Sequence, residues 1–126
     1  MNLRKGIFSF LLCCFFATGL AAQQTTVYTE ATASYKRGVD LFNQGVYGLA
    51  QLEFENAIKL LRPVNEPEWR PLKTDAELYF AKCAVRLDQP EAEKLTLDIL
   101  RNHAPSPVAS QAALEIGNYY FNAKEY

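Results

Sequence analysis

The chain has 126 residues, of which 49% are hydrophobic and 21% charged, with six glycines and six prolines; this composition fits one small globular domain and excludes a disordered or collagen-like chain. The formal net charge is −1, and without the first 22 residues there are 11 basic side chains against 14 acidic ones. That balance disfavours a generic nucleic-acid or anionic-membrane surface.

Residues 1–22 read as an export signal. Arg4 and Lys5 precede the apolar run "GIFSFLLCCFF", and the small-residue stretch "ATGLAA" follows, so cleavage is expected near Ala22. The uncharged stretch from Gly6 to Ala22 covers 17 residues, the lower limit for spanning a bilayer, and Thr18 and Gly19 interrupt it. Cys13 and Cys14 invite a lipoprotein reading, but they follow Leu12 and each other, and "FF" comes next where a polar linker is usual. Membrane association is therefore expected only through an uncleaved or lipidated segment. Cys83 is the one cysteine left in the mature part, so no internal disulfide can form there, and its expected role is a small buried side chain.

From residue 23 onward the chain reads as all-α, because apolar residues recur at three and four and β-branched runs are absent. The leading segment "QQTTVYTEATAS" is polar enough to be a flexible entry, with Thr29 or Thr32 capping the first helix, and helices are predicted over about 30–44, 47–61, 72–87, 90–102 and 107–122. Gly45, "RPVNEPEWRP", "DQP" and "HAPSP" are the breaks. Pro90 and Pro107 suit first helical turns, where a missing N–H costs nothing, and Ser106 is placed to cap the last helix. Short joints between five helices imply antiparallel hairpins.

The hairpins repeat. In the first, Gly38 is followed by Gly45, Tyr47, Ala50, Phe54, Ala57 and Pro63; in the second, Ala81 is followed by Ala92, Thr96, Ile99 and Pro105. The last four positions of each keep separations of four, three and six residues. Small residues stand where helices approach closely, larger ones fill the space between, and proline ends each unit.

On these residues the sequence resembles the tetratricopeptide repeat (TPR) family, whose unit of about 34 residues carries a small residue in its first helix and an Ala, aromatic, Ala, Pro series in its second. The resemblance covers residues 31–126, with repeats at about 31–63, 73–105 and an incomplete 107–126. Departures are Ser34, Arg37 and Leu41 in the first repeat, and Ala84, Thr96 and Ile99 in the second. In the third, Gly117, Tyr120 and Tyr126 match the Gly, Tyr and turn aromatic, so the sequence stops before that hairpin's second helix and reads as the N-terminal part of a longer protein. The resemblance implies a right-handed solenoid of stacked hairpins with a concave face lined by the first helix of each.

No catalytic or cofactor site is expected. His103, the only histidine, lies near a helix end, where a partly positive imidazole meets the negative end of the dipole. Asp98 and His103 have no third partner for a metal, and no phosphate-binding glycine loop exists. Glu53/Glu55 and Glu91/Glu93 are two apart, which points them away from each other as solvated charges.

Binding remains. Aligning Gly38, Ala81 and Gly117 gives three equivalent sets on the inner face: Tyr35, Val39, Phe42 and Asn43; Leu78, Lys82, Val85 and Arg86; Leu114, Asn118, Phe121 and Asn122. The apolar members are either contacts for a bound segment or packing between helices. They do not match the basic and asparagine positions with which chaperone-binding TPR modules hold a C-terminal carboxylate. Trp69, in the loop between the hairpins, reads as a plug over their junction or as a contact residue. The expected function is a non-catalytic scaffold, exported to the periplasm or outer membrane, that binds a protein or extended peptide. A second reading is a SusD-like outer-membrane glycan-binding protein, whose usual lipoprotein signal this sequence lacks.

Overall fold

The computed structural model describes the backbone of residues 2–124 and the side-chain surroundings of residues 23–123. The side chains of residues 1–22, on which the export-signal, lipidation and cleavage expectations fall, lie outside the described residues, as does Tyr126. Five helices follow one another: α1 (Asn2–Asn43), α2 (Tyr47–Leu61), α3 (Arg70–Arg86), α4 (Ala92–His103) and α5 (Pro107–Lys124). A single 3-10 turn, Pro67–Trp69, leads into α3. Among the described residues there is no strand, and no helix is long and apolar enough to cross a membrane.

Helix α1 differs from expectation. The leading segment from Gln23 to Ser34 is not an irregular lead-in but part of the helix. It contains no glycine or proline to break the ladder. Thr29 is no cap, since its hydroxyl donates back to the Thr25 carbonyl at 2.9 Å, and the Thr32 hydroxyl is buried with no partner. Pro90 lies in a turn ahead of α4, and Pro71 takes a first-turn position in α3. Ser106 does cap α5, its hydroxyl accepting the Ala109 N–H at 3.1 Å.

The two hairpin turns share one geometry. Gly45 at φ 77° donates to the Phe42 carbonyl at 3.0 Å while Val46 reaches back to Leu41 at 2.9 Å. After α3, Asp88 at φ 53° donates to Val85 at 3.2 Å and Gln89 to Ala84 at 3.0 Å. Both are Schellman caps, which need a residue in the left-handed region just past the helix.

Contacts set the directions. Ser34 faces Asn56, and Arg37 faces Glu53, so α1 and α2 run antiparallel. Helix α3 returns antiparallel to α2, with Gln89 just beyond its end exchanging two hydrogen bonds with Gln51 at 2.8 and 2.9 Å. Tyr35 and Phe42 of α1 both meet Tyr79 of α3, and Lys82 and Arg86 of α3 meet Glu115 and Tyr119 of α5. Helices α1, α3 and α5 thus lie side by side and parallel, while α2 and α4 both pack on α3 and make little contact with each other.

The small and large residues of the repeat pattern form the core. Ala50, Phe54 and Ala57 of α2 and Ala76, Ala81 and Ala84 of α3 are all completely buried. A Cβ on Gly38 would lie 2.7 Å from the Phe54 ring, so only glycine lets α1 and α2 close at that point. Phe54 stacks on Tyr79 at 5.1 Å. Ala84, Val85, Ala92 and Ile116 form a second cluster against Leu95, Tyr119 and Tyr120. Thr96, in the aromatic position of the second repeat, is buried and returns its hydroxyl to the Ala92 carbonyl at 2.8 Å. Cys83 is fully buried, and burial pushes its thiol up to about 12, which leaves it protonated and unreactive.

Ser34 and Arg37, two departures from the repeat pattern, belong together. The Ser34 hydroxyl is buried and accepts from Asn56 at 2.8 Å and from Arg37 at 3.0 Å. Arg37 also donates to both carboxylate oxygens of Glu53, at 3.1 and 3.0 Å. Glu53 is therefore a structural partner and not the solvated charge expected, because a bidentate guanidinium fork fixes it across the hairpin. Glu91 and Glu93 are exposed as expected.

Candidate functional site

The α1/α3/α5 layer brings the three predicted sets together, but they divide sharply by burial. Leu78 and Val85 are 8% and 2% exposed and belong to the core. They are packing residues and not contact residues: Val85 lies among Ala84, Ala92 and Ile116, where α3, α4 and α5 meet, and Leu78 is buried on the same helix. Tyr35 and Val39 are half-buried against the Phe54 cluster. Burial, then the nearby Asp75 and Tyr79, pushes the Tyr35 hydroxyl up to about 12.

Lys82 is also reassigned. Its ammonium pairs with Glu115 of α5 and sits 4.8 Å from the centre of the Tyr79 ring. The Lys82 hydrogen bond holds the Glu115 carboxyl below its ordinary range against the opposing effect of burial, with help from Gln111. This cation is spent on joining α3 to α5. Asp75, two turns away on α3, is pushed up by burial, with Lys82 opposing.

Arg86 is the exposed cation of the surface. Its guanidinium lies 4.7 Å from the Tyr119 ring centre and 5.7 Å from that of Tyr47, so aromatic faces from α5 and α2 hold it. Among the described residues it makes no ion pair within 4.0 Å. Phe42 stands beside it, edge-on to Tyr47 at 5.2 Å and to Tyr79 at 5.3 Å. Arg86, Glu115, Asn118, Tyr119 and Asn122 border an open depression of about 620 Å³. A smaller recess of about 60 Å³ next to it reaches down to Phe42, Lys82 and Ile116.

Asn43, Leu114, Asn118, Phe121 and Asn122 are exposed, Leu114 and Phe121 at 65% and 64%. Asn43 sits at the end of α1, next to the turn. Trp69 packs on Tyr28 of α1 at 5.1 Å and borders a separate cavity of about 280 Å³ with Leu61, Arg70 and Lys73. It closes the long loop against α1 and lies apart from the Arg86 depression.

Sequence reasoning missed Tyr47, Tyr79, Glu115 and Tyr119 as members of this surface. A signal was available: Lys82 to Glu115 and Arg86 to Tyr119 share one separation of 33 residues, close to the repeat length. Each pairs a residue on α3 with a complementary residue at the same height on α5. His103 lies 3.4 Å from Glu77, and among the described residues no group of His, Cys, Asp and Glu side chains could hold a metal ion. No family model, curated protein or solved structure matches the chain.

Proposed function

We propose that the chain is an exported, non-catalytic scaffold of TPR type that binds an extended segment of a partner protein along the α1/α3/α5 layer. The reading of the repeats is supported by two hairpins with equivalent caps, by α1, α3 and α5 lying parallel, and by α3–α5 contacts at a separation near the repeat length. Arg4 and Lys5 ahead of the apolar run "GIFSFLLCCFF" support the reading of an export signal and secretion into the cell envelope.

The single observation that carries the binding proposal is Arg86. A guanidinium held between Tyr47 and Tyr119, near enough to Glu115 to favour that carboxylate but making no ion pair within 4.0 Å among the described residues, presents N–H donors beside an open depression bordered by Asn118 and Asn122. Carboxylate side chains match the guanidinium fork, and the amides can pair with the backbone of an extended strand. Exposed charge contacts contribute only about 0–1 kcal/mol each, so burial against Phe42 and Phe121 has to supply most of the affinity.

Selection of displayed peptides against the folded protein tests this. Enriched sequences should pair an acidic residue with an apolar one and bind with micromolar affinity. Arg86→Ala and Phe42→Ala should each weaken binding about tenfold, a loss of about 1.4 kcal/mol, while Glu91→Ala on exposed polar surface leaves it unchanged. Equal binding by all three folded variants would remove the layer as the binding surface.

A further inference from the structure

A second groove lies between α2 and α4, apart from the Arg86 surface. Ile58, Phe80, Leu95 and the buried Ile99 form its apolar floor, and it encloses about 320 Å³. The two helices each pack on α3 but hardly on each other, so the groove runs between two helices pointing the same way, with Phe80 of α3 at its base. Glu55, Glu77 and Asp98 carry carboxylates along its border, against one arginine, Arg62.

These carboxylates are only lightly committed. Glu55 pairs with Lys59 at 2.9 Å in an exposed contact one helical turn along, and such pairs exchange partners readily. Glu77 has His103 at 3.4 Å, which is charged only when protonated. Asp98 makes no ion pair among the described residues. An apolar floor with an acidic border repels phosphate-bearing lipids and nucleic acids, and complements a partner with apolar side chains flanked by cations.

We infer that the α2/α4 groove docks a basic amphipathic helix of a partner protein, whose apolar stripe enters over Phe80 and whose lysines or arginines meet Glu55, Glu77 and Asp98. The helical form follows from the walls: two helices side by side leave a trough in which a third helix lies along its length. Residues at i, i+3, i+4 and i+7 of that helix then face the floor together. A volume of about 320 Å³ admits a few anchoring side chains and leaves the partner's backbone outside. This site is independent of the peptide-binding layer, which has the opposite charge preference.

The test uses a labelled helical peptide of about 15 residues, with leucines on one stripe and lysines beside them, and a second peptide with glutamates replacing the lysines. Fluorescence anisotropy should show the lysine peptide binding on the order of 10–100 μM, the glutamate peptide at least about tenfold more weakly, and the difference shrinking at high salt. The double variant Glu55→Lys, Asp98→Lys should lose binding about tenfold and regain the glutamate peptide. Both positions are on the surface; Asp98→Asn alone, with a smaller loss, covers the case in which the double variant folds poorly. Amide shifts on titration should map to α2 and α4, and Arg86→Ala should bind normally. Equal affinity for the two peptides, indifference to the α2/α4 variants, or shifts confined to α1, α3 and α5 would overturn the inference.

Discussion

Two glycines at equivalent repeat positions have opposite surroundings. Gly38 has the Phe54 ring where a Cβ would be, and that ring is completely buried and stacked on Tyr79, so it has nowhere to move. Gly38→Ala should destabilise by about 1–3 kcal/mol through overpacking. Gly117 has no heavy atom within 4 Å of its Cβ position. Gly117→Ala should therefore stabilise α5 by about 0.5–1 kcal/mol through helix propensity; urea denaturation of the two variants checks both signs. A second residue-scale prediction concerns alkali. Tyr35 and Cys83 are both pushed up to about 12 by burial, above the roughly 10 and 8.5 of the unfolded chain. Their contribution is fully present below those unfolded values and is lost as the pH rises toward about 12, because the unfolded state releases its protons first. Stability should fall steadily above about pH 9, and Tyr35→Phe should make that fall shallower. Denaturation curves across the alkaline range would show it; an unchanged slope would mean that the Tyr35 hydroxyl is freely solvated. On the acid side Glu115 and Asp75 move in opposite directions, so their effects on stability partly offset.

At the scale of elements, the caps decide where each hairpin turns. Gly45 takes the left-handed position after α1 without strain, whereas Asp88 takes it after α3 with a Cβ. Asp88→Gly should gain up to about 1 kcal/mol, and Ser106→Ala should lose about 0.5–2 kcal/mol by freeing the Ala109 N–H. Thermal denaturation of both variants measures the two turns. Helix α2 was legible to the residue, since Gly45 and Pro63 bracket it and its apolar spacing is regular. The start of α1 was not. "QQTTVYTEATAS" is polar enough to suggest a flexible entry, but a segment without glycine or proline can extend a helix already nucleated downstream. Helix α4 starts at Ala92, two residues after the expected start at Pro90, because proline suits both a first helical turn and the turn leading into it.

At the scale of the whole molecule, α2 packs on α1 and α4 on α3, and the sequence pattern gives α5 a face of the same residue spacing. Ser34, Gly38 and Leu41 of α1 meet α2; Ala113, Gly117 and Tyr120 occupy the same positions on α5. A designed polar helix appended to α5, with an aromatic residue set over Gly117, should raise the melting temperature by about 4–8 °C for each kcal/mol gained. Calorimetry with and without it decides whether α5 repeats the α1 interface; no increase would contradict the equivalence. The sequence by itself determined the helical class, the positions of the small and large core residues, and the capping of α5, because these depend on spacing and local backbone chemistry. Tertiary structure decided which predicted contact residues are available. Leu78 and Val85 went inside and Lys82 was neutralised by Glu115, while Arg86 was left exposed between two tyrosines. It also created the groove between α2 and α4, whose residues come from three helices. A helical pattern fixes which residues share a face, but burial and charge pairing depend on how far the next helix along the chain reaches over that face, and that distance is set by packing between elements.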